Sequence, residues 1–313
     1  MKKQQGIALI TILVMVALAT ILVATIAKRQ ANTAENTVYL IRQNQSLLYA
    51  KSAEAFFLEL LQDDLQNAGE IDHLQENWAK PMPAFPVEDG FVSGVLQDES
   101  GKFNLNSLVQ DNGIPNLKAK AWFEKLLRRV GLPENLSEAV IDWQDADDET
   151  IGAMGAEANY YQGLAQGYLP ANRKFHDVKE LKLVRGFEGK KYQQIADYVS
   201  AAPTLDSKVN INTASALLLA SLDPQLDLNA VQQVLQQRQA NFSNIHDFWQ
   251  TEPFAQVSPD VQSEVNDLLG VQSQYFKAKI EVLFNQRKRQ LNSDLVRKDK
   301  MVYVVARSMA PFE

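Results

Sequence analysis

Cysteine is absent from this 313-residue chain, which excludes disulfides, thiolate nucleophiles and Cys-based zinc or iron–sulfur sites. The absence leaves the compartment open, because an oxidising space permits disulfides without requiring them. Histidine is scarce: His73, His176 and His246 are the whole imidazole supply. None lies in an H-E-x-x-H pattern, and no G-x-S-x-G elbow occurs, so zincin and α/β-hydrolase chemistry lack their carriers. Positive charge is also short. With 31 Lys and Arg against 38 Asp and Glu the net charge is −7, the wrong balance for broad phosphate-backbone binding. Gly186-Phe187-Glu188-Gly189-Lys190 looks superficially like a phosphate loop, but its glycines stand too close together for that geometry. What is present, 46% hydrophobic and 22% charged residues, reads as an ordinary globular chain of about two domains and a small module at ~150 residues per domain.

One long hydrophobic run does occur. Lys2 and Lys3 precede Gly6, and Ile7 to Ala27 carries no charge. As a helix at ~1.5 Å per residue this run spans about 31 Å, the thickness of a bilayer core. A secretory signal has a shorter apolar core of roughly 7–15 residues followed by its small-residue cleavage site, whereas here Gly6 comes before the run. A plain signal anchor and a processed N-terminal anchor both fit. Charge bias does not orient the span, because Lys28 and Arg29 flank its other end.

Neither proline nor glycine interrupts the helical pattern between Ile7 and Ala68, and Gly69 stands just past its end. Leu40, Leu47, Leu48, Phe56, Phe57, Leu60 and Leu61 recur on one face, with Glu35, Arg42, Glu54, Glu59 and Asp63 elsewhere. The pattern predicts one helix of about 90 Å, a spine rather than an enzyme interior. Pro81, Pro83 and Pro86 predict a stiff extended linker after it. Strand patterns lie far apart, at Phe91 to Leu96, Tyr275 to Phe284, Lys288 to Val296 and Met301 to Arg307. The residues that pack on the spine are thus split by a large insertion.

The insertion repeats itself. Phe103-Asn104-Leu105-Asn106-Ser107-Leu108 matches Val209-Asn210-Ile211-Asn212-Thr213-Ala214, and the segment starting at Phe175-His176-Asp177 matches that at Phe242-Ser243-Asn244. Two matches in one order predict two related helical modules, with Ser107 and Thr213 as helix N-caps. The first copy holds a long extra segment between its landmarks. The second resembles helix-hairpin-helix modules of DNA-binding and competence proteins, which grip phosphate through a glycine-rich hairpin. Here that position reads Leu222-Asp223-Pro224-Gln225-Leu226-Asp227, with no glycine and two carboxylates. A packing module is expected, and no nucleic acid as a partner.

Within the extra segment lies Asp142-Trp143-Gln144-Asp145-Ala146-Asp147-Asp148-Glu149, then Gly155-Ala156-Glu157 and Tyr160-Tyr161. Such carboxylates must be solvated or bridged by a cation, and the neighbouring Trp143, Ile151, Met154, Tyr160, Tyr161 and Tyr168 imply a packed loop. Hard oxygens without His or Cys point to Ca2+ over softer metals. The segment is no EF-hand: counting from Asp145, Thr150 stands where glycine is required.

Taken together these features resemble the type IV prepilins, and among them the minor pseudopilin K family of the type II secretion system. The resemblance implies leader cleavage after Gly6 by prepilin peptidase and N-methylation of Ile7. Most prepilins carry glutamate at the fifth mature position; Thr11 stands there in this chain, and lack of that glutamate is characteristic of the K family. The resemblance further implies an α+β fold, a pilin-like N-terminal helix on a small antiparallel sheet, interrupted by two SAM-like/helix-hairpin-helix-like modules. Its divisions are a leader at 1–6, a transmembrane helix at 7–27, pilin-like helix and first strand at 28–102, a first module with the acidic metal loop at 103–204, a second module at 205–270 and C-terminal strands at 271–313. In K proteins the acidic run binds structural Ca2+, which maps here onto Asp142, Asp145, Asp147, Asp148 and Glu157. The implied role is non-enzymatic: a pseudopilus-tip subunit that helps initiate assembly and protein export, with minor pseudopilins I and J as partners. It would be anchored by a single pass in the bacterial inner membrane, its bulk in the periplasm. Two other readings use the same residues, a membrane-anchored periplasmic hydrolase working through the acidic loop and a competence-type DNA-binding pilin.

Overall fold

A computed structural model describes residues 5–67, 69–203, 207–237 and 241–310. Positions 1–4 of the expected leader lie outside the described residues.

The unbroken spine pattern folds as one helix, α1 (Gln5–Asn67). Its first half stands out from the rest of the fold: from Ile7 to Arg42 every residue is exposed, and the helix is long and apolar enough to cross a membrane. Its second half lies on a five-stranded antiparallel sheet in the order β1–β2–β7–β8–β9. The strands are β1 (Met82–Val87), β2 (Gly90–Asp98), β7 (Tyr275–Phe284), β8 (Arg287–Lys298) and β9 (Met301–Ala310). β2 and β7, distant in sequence, pair continuously from Gly90↔Phe284 to Asp98↔Phe276. The inferred split sheet is therefore a property of the fold.

Period-two side chains of β7 (Phe276, Ala278, Ile280, Val282, Phe284) bury one face against Ala50, Ala53, Phe57 and Leu61 of α1. Gly94 on β2 makes the close approach possible, since a Cβ there would lie 2.8 Å from the Phe57 ring. The sheet is drawn tight by two-residue turns whose central residues, Asn285–Gln286 and Asp299–Lys300, all have positive φ, the geometry that matches strand twist. Glu54 of α1 is buried beneath β8 and β9. Burial pulls its pKa up, but hydrogen bonds from Arg307 and Ser293 win and hold it below the usual carboxylate range.

One expectation needs correction. The proline segment is a hydrogen-bonded edge strand, β1, rather than a free linker, so two strands precede the insertion. Pro83 and Pro86 fit there because an edge strand has one side with no ladder to donate to.

The 99–274 insertion contains two short parallel strand pairs, β3 (Phe103–Asn104) with β4 (Val199–Ser200) and β5 (Val209–Asn210) with β6 (Leu269–Gly270). Around them stand α2 (Leu117–Arg129), α3 (Leu136–Asp142), α4 (Ala158–Gln162) and α5 (Lys190–Ile195) in the first copy. The second copy holds α6 (Ala216–Ala220), α7 (Leu228–Gln237), α8 (Ile245–Gln250) and α9 (Pro259–Val265). Both copies repeat one device. In the first, Asn106 donates to the Phe175 carbonyl (3.0 Å) and accepts from the Phe175 amide (2.7 Å). In the second, Asn212 does the same with Phe242, at 3.0 and 2.9 Å. The two copies share one hydrophobic core running from Phe103 to Leu269. The caps, however, are Asn104 and Ser215 instead of Ser107 and Thr213; the Ser107 hydroxyl donates back to the Asn104 carbonyl at 2.7 Å, and that of Thr213 lies 3.3 Å from the Asn210 carbonyl.

Candidate metal centre

α3 delivers Asp142, its last residue, into the interior. Both carboxylate oxygens of Asp142 accept from the Ile151 amide at 3.2 Å, folding the acidic run back over the helix end. The return strand of this loop then passes so close that position 155 tolerates no side chain. A Cβ on Gly155 would lie 2.5 Å from the Ile151 carbonyl oxygen and closer still to Asp142 Oδ2. Aromatic rings close the other side: Trp143 meets Tyr161 edge-on at 5.3 Å and Tyr160 meets Tyr161 at 5.2 Å. Arg185 anchors the loop by donating to the Gly155 carbonyl at 2.9 Å while covering the Tyr160 ring. Its charge is thus spent on a carbonyl and a ring.

The loop carboxylates divide into two sets. Asp142, Asp145 and Glu157 are buried, while Asp147 and Asp148 stand at the exposed rim, where Asp147 accepts from the Glu149 amide at 2.8 Å. Asp145 Oδ1 and both oxygens of Glu157 are buried and accept no hydrogen bond from the described residues, an arrangement that costs several kcal/mol for a lone carboxylate and ordinarily signals a missing counter-charge. Burial raises the pKa of Asp142 to about 6, against the hydrogen bonds from Ile151 and Ala156, and that of Asp145 to about 7, with repulsion from Asp142 and Asp147 adding to it. Glu157 is pushed furthest, to about 8, by burial and then by Asp142, Asp145, Asp148 and Asp147. All the neighbours that move it share its sign.

Two oxygen donors lie outside the expected set. Glu138, one helical turn before Asp142, accepts from the Met154 amide at 2.8 Å and pins the far side of the loop; its i, i+4 spacing to Asp142 is the signal in the sequence that points to it. Gln144 is buried, and its Oε1 has no hydrogen-bond partner among the described residues. A second acidic group differs instructively. Asp64, Asp72 and Glu76 have oxygens within 4.8 Å of one another, but Arg297 bridges Asp64 and Asp72, each at 2.5 Å. That group has its cation; the loop, among the described residues, has none. The three histidines hold other posts: the amides of His73 and His176 donate to Glu76 and Glu180, both at 2.8 Å, and His246 stands in α8.

The 222–227 loop, where a phosphate-gripping hairpin would sit, is occupied from within. Arg129 of α2 donates to the carbonyls of Asp223, Pro224 and Leu226, and Lys125 to that of Leu222.

The family model of type II secretion system protein K matches in two parts, over residues 101–204 and 209–272. Type II secretion system protein K of Pseudomonas aeruginosa is 35% identical, the alignment covering 98% of this chain and 93% of that protein. The chain belongs to the type II secretion system protein K family. The protein K of Klebsiella pneumoniae is 31% identical, covering 97% of this chain and 96% of its own, and that of Aeromonas hydrophila 30% identical, covering 98% and 97%. Among solved structures, a chain of the GspK–GspI–GspJ complex of the enterotoxigenic Escherichia coli type 2 secretion system matches with a TM-score of 0.79. It covers 88% of this chain and 99% of that chain at 24% identity, and at that identity the likeness establishes the fold. The family's pilin-like α+β architecture is the one described above.

The Gly155–Asp142 contact gives a local test. Gly155→Ala should displace the Asp142 carboxylate and lower the unfolding free energy by an amount typical of strained insertion into a packed site, about 1–3 kcal/mol. Gly163→Ala, where a Cβ would meet nothing nearer than 3.3 Å, is the control. Equal effects of the two substitutions would show that the Asp142 contact is not special.

Proposed function

We propose that this chain is the minor pseudopilin that caps the membrane-distal end of the type II secretion pseudopilus, helping to start its assembly and the export of folded proteins. The observation that carries the reading is where the insertion leaves the sheet. Where β2 starts, at Gly90, and β7 ends, at Phe284, the pair lies beside the anchor side of α1, and there Tyr49 meets Phe284 at 5.6 Å. They part at Asp98 and Tyr275, beside Arg297, which reaches Leu61 and Asp64 near the far end of α1. The bulky 99–274 segment therefore stands over the end of the spine opposite the apolar run. A subunit stacked above would collide with it, whereas a subunit with nothing above it has room.

The exposed apolar first half of α1 supports a single pass in the inner membrane, with the sheet and insertion in the periplasm. Partnership with minor pseudopilins I and J is supported by the related Escherichia coli complex, which joins GspK to GspI and GspJ. Thr11 suits a subunit that enters first. Its hydroxyl donates to the Ile7 and Ala8 carbonyls at 3.1 and 2.9 Å, so it is satisfied within its own helix and needs no neighbouring ammonium, as a buried glutamate would.

The loop fits calcium in donor chemistry. Asp142, Asp145 and Glu157 would hold the ion, with Asp147 and Asp148 closing the rim, an all-oxygen set of the kind that satisfies 6–8 ligands. Bound there, the ion supplies positive charge that lets the loop fold; its role is structural. The family to which the chain belongs lends no support to a hydrolytic role for the loop.

Processing gives the direct test of the pilin reading. Mass spectrometry of protein extracted from membranes of cells with active prepilin peptidase should find a chain starting at Ile7, N-methylated and lacking Lys2 and Lys3. A chain retaining Met1 would return the segment to a plain signal anchor.

A further inference from the structure

We infer that the second copy of the repeated asparagine motif is the joint that fixes the insertion's angle to the pilin-like body, with Asp72 and Asp98 as its two pins. The insertion joins the body through two adjacent chain crossings, after Asp98 and before Tyr275. Two neighbouring crossings define an axis, and rotation about it is opposed only by bonds away from the backbone path. Asp72, in the segment between α1 and β1, provides three to the insertion and is held to the body by a fourth. Its amide donates to the Val271 carbonyl (2.9 Å), its carbonyl accepts from Asn210 (3.0 Å), and its carboxylate accepts from the Ser273 amide (2.7 Å) and from Arg297 of β8 (2.5 Å). Asp98, at the end of β2, accepts from the hydroxyls of Thr213 and Ser273, both at 2.5 Å, and from the Ser100 amide at 2.7 Å.

The duplication shows why these contacts are more than general packing. In both copies the first asparagine of the motif turns its oxygen to the amide two residues on, Asn104 to Asn106 at 3.1 Å and Asn210 to Asn212 at 2.9 Å. In the first copy the same oxygen also takes the Ala202 amide, within the insertion. In the second, the Asn210 amide group reaches out of the module, to Asp72 and to the Ser273 hydroxyl at 2.7 Å. Thr213, the counterpart of Ser107, likewise reaches out to Asp98. The same motif closes a module in one copy and clamps the body in the other. Beyond the joint the two parts touch where Asn241 donates to Gln75 at 3.1 Å and where Ala202 packs with Tyr275 and Val296, while a cleft of about 430 Å³ separates Lys277, Lys279 and Asn292 of the sheet from Asp177, Lys179 and Tyr192 of the first copy. A cap that must bear load along the filament needs such a joint to be stiff.

The native chain has no cysteine, so paired spin labels can be placed at will. In the full-length chain in detergent micelles with calcium, Lys288→Cys on the sheet and Gln233→Cys on the insertion, both exposed positions, should give one narrow distance peak by pulsed electron resonance. Asp72→Ala, and separately Thr213→Val with Ser273→Ala, should broaden that peak and shift it. A pair within the insertion, Lys190→Cys with Gln233→Cys, should keep its narrow peak in every variant. If Asp72→Ala fails to fold, the hydroxyl variant decides. An unchanged sheet-to-insertion peak in the hydroxyl variant, or broadening of both pairs together, would overturn the joint.

Discussion

Calcium added to the metal-free protein should raise its melting temperature, and excess chelator should lower it again. At free calcium 100-fold above Kd the stabilisation is about 2.7 kcal/mol from mass action alone. Magnesium should restore less, because its stricter octahedral geometry and reluctance to shed water suit a loop of flexible carboxylates poorly. The pH dependence follows from the buried set. Asp145 and Glu157, raised to about 7 and about 8 by burial and mutual repulsion, bind protons in the metal-free native state that the unfolded chain releases near pH 4. The native state holds more protons across that window, so metal-free stability falls as pH rises through it. Calcium needs the charged forms, so the calcium increment grows over the same window. Asp145→Asn should abolish most of the increment while raising the metal-free melting temperature at pH 8. Asp147→Ala, at the rim, should weaken the response without abolishing it. Identical melting curves in calcium and in chelator would mean that the loop folds by protonation alone.

Arg297→Ala should be the most destabilising single substitution outside the aromatic core, costing roughly 3–5 kcal/mol, the usual range for breaking a buried pair. The guanidinium holds Asp64 and Asp72 at 2.5 Å each and lies 4.8 Å above the Phe276 ring. Burial already raises Asp64 to about 6, with Arg297 pulling it down; without that charge the buried Asp72 and half-buried Asp64 carboxylates face each other. Arg297→Lys should recover only part of the loss, because an ammonium lacks the fork that reaches both acids and the flat face that stacks. Adding Asp72→Asn to Arg297→Ala should recover stability by removing one stranded charge. Denaturant unfolding of the full chain measures all three. A loss below about 1 kcal/mol would place the pair with exposed, screened ion pairs.

Most of the body is legible in the chain because its signals are local. The uninterrupted run to Asn67 specifies α1, and the period-two pattern from Phe276 to Phe284 specifies the face that packs on it. The split sheet follows because those two faces have to meet. β1 stays hidden, since Pro83 and Pro86 oppose strand propensity and only the free outer edge admits them. In the acidic run the composition is legible but the division is not: whether Asp145 or Asp147 turns inward depends on the Ile151–Asp142 bonds, which close the loop across many residues. Glu138 escapes a reading of the run for the same reason. The joint is invisible to any local pattern, because Asp72, Asp98, Thr213, Ser273 and Arg297 meet only in the folded chain.

Co-purification tests the tip assignment most directly. The full-length chain, co-expressed with minor pseudopilins I and J in cells with active prepilin peptidase and extracted from their membranes, should elute with both as one complex holding a single copy of this chain. Elution without either partner, or in assemblies containing many copies of this chain along a shaft, would contradict the account.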